Sequence, residues 1–227
     1  NVFIYEVAQE IGYEPIHEMA KQFGIGQYAG LFPRLESPPK HENIKYGNLP
    51  HKDANPTDLC NLSIGQGALL TSPLQMAMVT AALANGGTLY RPRLVKQFRI
   101  NTDVEFKNNP TWAIRRIDIA TEDLEIIQEG MRDVIMNNNG TATSAQVDEI
   151  EIAGKTGSAQ YRKKVGENVE DRVHAWMISY APYNSPRYAI AMIVEEGVSG
   201  GQTVAPRLSY LYKKLFEYDG TIAGDNG

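Results

Sequence analysis

Apolar residues recur at helical spacing in five stretches of the chain and at strand spacing in three. Phe3, Ile4, Val7, Ala8 and Ile11 lie three and four residues apart and stop at Gly12, which predicts a helix over residues 2–11. A second, short helix is predicted from Pro15 at its first position, through Ile16, Met19, Ala20 and Phe23, to a stop at Gly24. From Leu74 to Ala84 nearly every position is apolar, so this third helix is predicted to be buried on all sides. Ser72 can cap it, Pro73 suits its first position, and Asn85-Gly86-Gly87 ends it. Thr121 to Asn138 reads as an amphipathic helix with Leu124, Ile127, Met131, Val134 and Ile135 inward, closed by Gly140. The last helix opens at Pro206 and turns Leu208, Leu211 and Leu215 inward.

The strand signals cluster late. They are Ile150 to Tyr161, Val173 to Tyr180 and Tyr188 to Val194, and the turn residues 181–187 join the last two as a hairpin or meander. Leu89 to Ile100 reads as extended, and Gly197 to Ala205 as a glycine-rich turn. Residues 30–58 hold five of the twelve prolines, few apolar residues and no period, which predicts a long surface loop, with a small-residue turn following at Asn61 to Gly67. Residues 218–227 read as a flexible tail. Helices followed by a strand meander and a closing helix predict an α+β fold with an antiparallel sheet. No repeat or break in composition divides the chain, so residues 1–217 are expected to belong to one domain.

Composition narrows the class without naming a function. Among 227 residues, 42% are hydrophobic and 22% charged, as in ordinary globular proteins. The net charge of −5, with both signs interspersed, gives no sign of nucleic-acid binding. No run of 18 apolar residues is present to span a membrane. The lone Cys60 rules out an internal disulfide. The chain opens on Asn1 in a helical pattern with no start methionine, so a piece of a longer protein is expected.

The candidate chemistry sits in the first of the three strands, where Ile150 and Ile152 lead into Ala153-Gly154-Lys155-Thr156-Gly157-Ser158. Glycine weakens a strand, so two glycines beside a lysine and two hydroxyls suggest a backbone that a ligand approaches closely. A cation, hydroxyls and edge-strand N–H groups suit an anionic substrate and a developing oxyanion. The plainer reading is an edge lysine that discourages aggregation. His174 reads as a packed strand histidine, since no second histidine or carboxylate stands at metal-ligand spacing from it, and Trp176 reads as core. His17, His41 and His51 are scattered and read as surface, and Glu195 and Glu196 as a charged strand end.

Several ordered stretches resemble one family. Asn1-Val2-Phe3 with Tyr5, Ser63 to Gly67 followed by Ser72 to Gln75, Gly140-Thr141-Ala142, Ala153 to Gln160, His174-Ala175-Trp176 and Gly200-Gly201 before Ala205-Pro206 together resemble the transpeptidase domain of class B penicillin-binding proteins of the elongation type. The resemblance implies the penicillin-binding protein and serine β-lactamase fold, an antiparallel sheet with helices on both faces, here lacking the helix that carries the nucleophile. It implies peptidoglycan D,D-transpeptidation, in which a serine attacks the carbonyl between two terminal D-alanines and passes the acyl group to an amine of a neighbouring strand. Lys155 is then expected to hold the positive field, Thr156 and Ser158 to offer hydroxyls to the substrate carboxylate, and Gly157 to let it approach. The Ser158 N–H would form half of the oxyanion hole. Asn1 matches the third position of the family's S-x-N motif, though a plain helix cap also explains an asparagine there.

The family's S-x-x-K serine is expected upstream of Asn1. Ser37-Pro38-Pro39-Lys40 spells the motif, but Pro39 opposes the helical turn that would bring serine and lysine together. Tyr46-Gly47-Asn48 matches a class D β-lactamase tripeptide in the same loop and reads as accidental. The resemblance implies β-lactams as ligands, a SEDS-family glycosyltransferase as partner, an N-terminal anchor and an extracytoplasmic, periplasmic location, with no cofactor and no metal. Two other readings stay open: a serine β-lactamase or D,D-carboxypeptidase, and a non-catalytic penicillin-recognising scaffold.

Overall fold

The structure is a computed structural model that describes residues 1–31, 47–50, 55–102 and 104–222. The Ser37–Lys40 string and Tyr46 lie outside the described residues. The chain forms two compact units, the first comprising Asn1–Ala82 and Gly87–Asp118, the second Leu83–Gly86 and Ile119–Gly227. No described helix is long and apolar enough to cross a membrane.

The first unit opens with α1 (Val2–Ile11) and α2 (Tyr13–Gln22). The apolar stripe of α1 is covered only in part. Ala8 is buried and α1 packs on α3 (Pro56–Ser63), whereas Phe3, Ile4 and Ile11 remain exposed because the short α3 reaches one side only. That helix corrects the expected loop and turn, since it occupies the end of one and the start of the other. Asn55 caps it: its Oδ1 accepts from the Asp58 N–H at 3.1 Å and the Asp58 carboxylate accepts from the Asn55 N–H at 3.2 Å, with Pro56 at the first position.

The next helix, α4 (Pro73–Ala84), follows the same logic with Ser72 as its cap. The Ser72 Oγ accepts from the Gln75 N–H at 3.2 Å, and Gln75 Oε1 accepts from the Ser72 N–H at 2.9 Å. Gln75 is itself buried, and its Nε2 donates to the Gln27 carbonyl at 3.1 Å, so one side chain closes the cap and pins the turn after α2. A β-ribbon follows. β1 (Thr88–Tyr90) pairs antiparallel with β4 (Ala113–Arg116), and further out β2 (Gln97–Phe98) pairs with β3 (Lys107–Asn108).

The second unit is built on the expected meander. α5 (Thr121–Met136) precedes a three-stranded antiparallel sheet of β5 (Ala153–Val165), β6 (Asn168–Ala181) and β7 (Tyr188–Val194), in that spatial order among the described residues. β5 and β6 continue past the expected strand ends into a long hairpin that turns at Gly166. On β6 the alternate residues Ala175, Met177, Ser179 and Ala181 are buried, as a sheet covered on that face requires. They meet Ile135 of α5 and the stripe of α6 (Ala205–Tyr218). That stripe is Leu208, Tyr212 and Phe216, all fully buried, while Leu211 and Leu215 of the expected set are half-buried beside it. The Tyr212 hydroxyl lies 2.9 Å from the buried Ser179 Oγ, and burial pushes its pKa above the ordinary tyrosine range. On α5, Leu124, Met131 and Ile135 are buried as expected, but Ile127 is exposed. Residues 219–222 turn back towards β7: the Asp219 carboxylate accepts from the Tyr188 hydroxyl at 2.7 Å and pairs with Arg187 at 3.0 Å. Residues 223–227 lie outside the described residues.

Candidate active site

β5 is an edge strand, paired among the described residues with β6 alone, so alternate N–H and C=O groups along it face outward. Lys155, Thr156, Gly157 and Ser158 lie together on this edge. Lys155 and Ser158 are exposed, and Thr156 and Gly157 are half-buried. The Lys155 ammonium donates to the Thr156 carbonyl at 2.8 Å, which holds the cation against its own strand. Asn1 belongs to the first unit. It stands at the N-cap of α1 with its carbonyl accepting from Tyr5 N–H at 3.0 Å, but its exposed side chain makes no capping bond. The amide is therefore not engaged as the plain-cap reading requires.

Two neighbouring segments brace the Lys155–Ser158 stretch. The hydroxyl of Thr141, from the turn after α5, lies 3.1 Å from the Thr156 hydroxyl. The glycine-rich turn expected at 197–205 contains a π-helical turn over Gly200–Val204, which runs directly into α6. A Cβ on Gly200 would lie 2.3 Å from the Trp176 carbonyl oxygen and 3.0 Å from Thr156 Cβ. A Cβ on Gly201 would lie 2.1 Å from the Thr141 carbonyl oxygen. Gly200 thus lies against the backbone of β5 and β6 beside Thr156, and Gly201 against the backbone of Thr141, because only residues without side chains allow the turn to come this close. Ser144 Oγ donates to the Gly201 carbonyl at 3.1 Å and closes the brace from the other side. Gly200→Ala is therefore expected to cost about 1–3 kcal/mol by overpacking, read as a lower denaturation midpoint of the second unit.

The remaining candidates are structural. His174 stacks on Tyr161 with ring centroids 4.1 Å apart, as a packed strand histidine does. Trp176, read as core, is half-buried. Glu196 pairs with Lys163, whose ammonium holds the carboxyl below its ordinary range, consistent with a charged strand end. His17, expected at the surface, has a side chain only 14% exposed and lies against the Tyr13 ring at 5.0 Å. It stands with Glu14 and Glu18 on one face of α2, their possible ligand atoms within 4.8 Å of one another, a cluster that its i, i+3, i+4 spacing announces and the sequence reading passed over. Lys21 already engages Glu18 at 2.8 Å. Thr141 is the other omission. The sequence marks it only within the Gly140-Thr141-Ala142 tripeptide, because nothing in linear sequence reports a hydroxyl contact across 15 residues.

A cation, two hydroxyls and outward backbone donors on one strand edge can hold a carboxylate and a carbonyl oxygen that gains negative charge. Known proteins share this architecture. The chain is 30% identical over 227 residues to the peptidoglycan D,D-transpeptidase MrdA of Acinetobacter baumannii, covering 96% of this chain and 33% of that protein. It is 28% identical over 250 residues to MrdA of Escherichia coli, covering 100% of this chain and 36% of that protein. The crystal structure of Pseudomonas aeruginosa PBP2 in complex with WCK 5153 matches with a TM-score of 0.73 at 27% identity, over 100% of this chain and 48% of that one. The chain thus spans about a third of the length of the curated relatives it matches. With residues 1–215 matching the penicillin binding protein transpeptidase domain, the chain belongs to that family.

Proposed function

We propose that this chain forms one wall of the acyl-transfer site of a peptidoglycan D,D-transpeptidase. The observation that carries the reading is the Lys155–Ser158 edge, braced by Thr141 and the Gly200–Val204 turn. In the reaction a serine of an S-x-x-K segment, supplied by a longer protein, attacks the carbonyl carbon between two terminal D-alanines. The C–N bond breaks, the departing D-alanine amine takes a proton, and an amine of a neighbouring stem peptide then displaces the serine from the acyl group. Lys155 draws the terminal carboxylate in, and the Thr156 and Ser158 hydroxyls donate to it. The Ser158 N–H stabilises the tetrahedral oxyanion together with the N–H of the nucleophile. The Asn1 amide, as the third residue of S-x-N, orients the substrate amide. β-Lactams enter as mimics of the D-alanyl-D-alanine end and remain as the acyl group.

The longer protein works at the extracytoplasmic face of the membrane, held by an N-terminal anchor and paired with a SEDS-family glycosyltransferase. The names of the MrdA relatives and the family match support the transpeptidase reading over a β-lactamase, a D,D-carboxypeptidase or a scaffold. Incubation with fluorescent penicillin and nitrocefin separates them. The longer protein is expected to take up one covalent label and stall, and the 227-residue chain to take up none. Rapid repeated nitrocefin hydrolysis indicates a β-lactamase, and no covalent adduct on the longer protein indicates a scaffold.

A further inference from the structure

Packing explains two residues of Gly140-Thr141-Ala142 and leaves the third over. A Cβ on Gly140 would lie 2.3 Å from the Val134 carbonyl oxygen and 2.6 Å from that of Asp133, so only glycine fits against the end of α5. Ala142 is buried in the core cluster, and its N–H donates to the Val134 carbonyl at 3.0 Å. The backbone of Thr141 is therefore fixed from both sides, with its carbonyl close against Gly201. Its side chain is exposed, so the core does not call for a threonine here. What that side chain offers is a hydroxyl 3.1 Å from the hydroxyl of Thr156.

The chemistry of a carboxylate fixes the direction of that hydrogen bond. A hydroxyl has one proton to donate and two lone pairs with which to accept. An ionised carboxylate only accepts, so a Thr156 hydroxyl that donates to it can meet Thr141 only as an acceptor. The Thr141 O–H must then donate to Thr156 Oγ. A hydroxyl that accepts one hydrogen bond is polarised and becomes a stronger donor in the next. The same contact occupies one side of the Thr156 oxygen, which turns its proton away from Thr141. Thr141 thus governs both the aim and the strength of a bond in which it takes no part.

We infer that Thr141 is a positioning residue for the substrate carboxylate: its O–H donates to Thr156 Oγ and directs the Thr156 proton onto the carboxylate. The inference rests on the transpeptidase reading and assigns Thr141 a role through Thr156 rather than a contact with substrate. Stopped-flow acylation of the longer protein by benzylpenicillin, and by its methyl ester, which lacks the anionic carboxylate, tests it. Thr141→Val keeps the branched shape and loses the hydroxyl. It is expected to slow acylation by the free acid about fivefold, the scale of one neutral hydrogen bond, and to leave the ester rate unchanged. Thr141→Ser, which keeps the hydroxyl, should acylate at close to the wild-type rate. In a Thr156→Val background, Thr141→Val should cost nothing further. Three results overturn the inference while the transpeptidase reading stands. They are acylation of Thr141→Val by the free acid at the wild-type rate, an equal loss with acid and ester, as a purely structural brace gives, and losses that add in the double variant. A wild-type longer protein that takes up no β-lactam overturns that reading, and the inference with it.

Discussion

Lys155→Ala, introduced into the longer protein that carries the nucleophile, is expected to slow acylation by fluorescent penicillin by about 10²–10³-fold, the range seen when one preorganised electrostatic contact to a transition state is removed. The stability of the second unit should be nearly unchanged. Lys155 is exposed, and its ammonium donates to the carbonyl of the next residue, so its loss opens no cavity and strands no buried partner. The two readouts separate the functional reading from the bland one. A lysine that merely protects a strand edge can be replaced without loss of acylation, and labelling at the wild-type rate would establish that role instead. Lys155→Arg should recover little, because a planar guanidinium does not reproduce the compact charge of an ammonium.

The reverse pattern is expected at Phe216. Its ring is fully buried, lies edge-on to Tyr188 at a centroid distance of 5.4 Å and stacks near Tyr212 at 6.0 Å. Phe216→Ala should cost about 3–5 kcal/mol, the sum of lost transfer free energy and a cavity the sheet cannot close. Urea denaturation followed through the second unit measures this, and a loss under 1 kcal/mol would mean that α6 does not anchor the core as described. The site should suffer only through the π-helical turn, which leads straight from the Gly200–Val204 brace into α6.

The elements that sequence specifies most plainly are those whose signals are local. α4 with its Ser72 cap and the three strands of the meander are present where they are expected, although β5 and β6 run longer, α4 is half-buried at several positions, and Lys155–Ser158 lies within β5. Asn55-Pro56-Thr57-Asp58 is also a local signal, a capping box with proline at the first helical position, masked by the run of prolines across residues 30–58. α6 shows a different limit. Helical spacing points its leucines inward, but the face turned to β6 is Leu208 followed at four-residue steps by the aromatics Tyr212 and Phe216, and spacing alone does not rank neighbouring stripes. Ile127 and Phe3 have inward periodicity and outward positions, because coverage of a helix face depends on what packs on it. The brace of β5 by Thr141, Gly200 and Gly201 belongs to this non-local class. Motif residues mark the Lys155–Ser158 strand, and only packing shows what braces it.

In the proposed reaction the Lys155–Ser158 edge is the surface that holds the substrate carboxylate and oxyanion. Amide hydrogen exchange of the longer protein, before and after complete acylation by a β-lactam, tests it most directly. Slowed exchange is expected at residues 155–159 of β5 and in the Gly200–Val204 turn that backs it. Unchanged exchange across both segments, in protein shown by mass to carry one β-lactam per molecule, would contradict it.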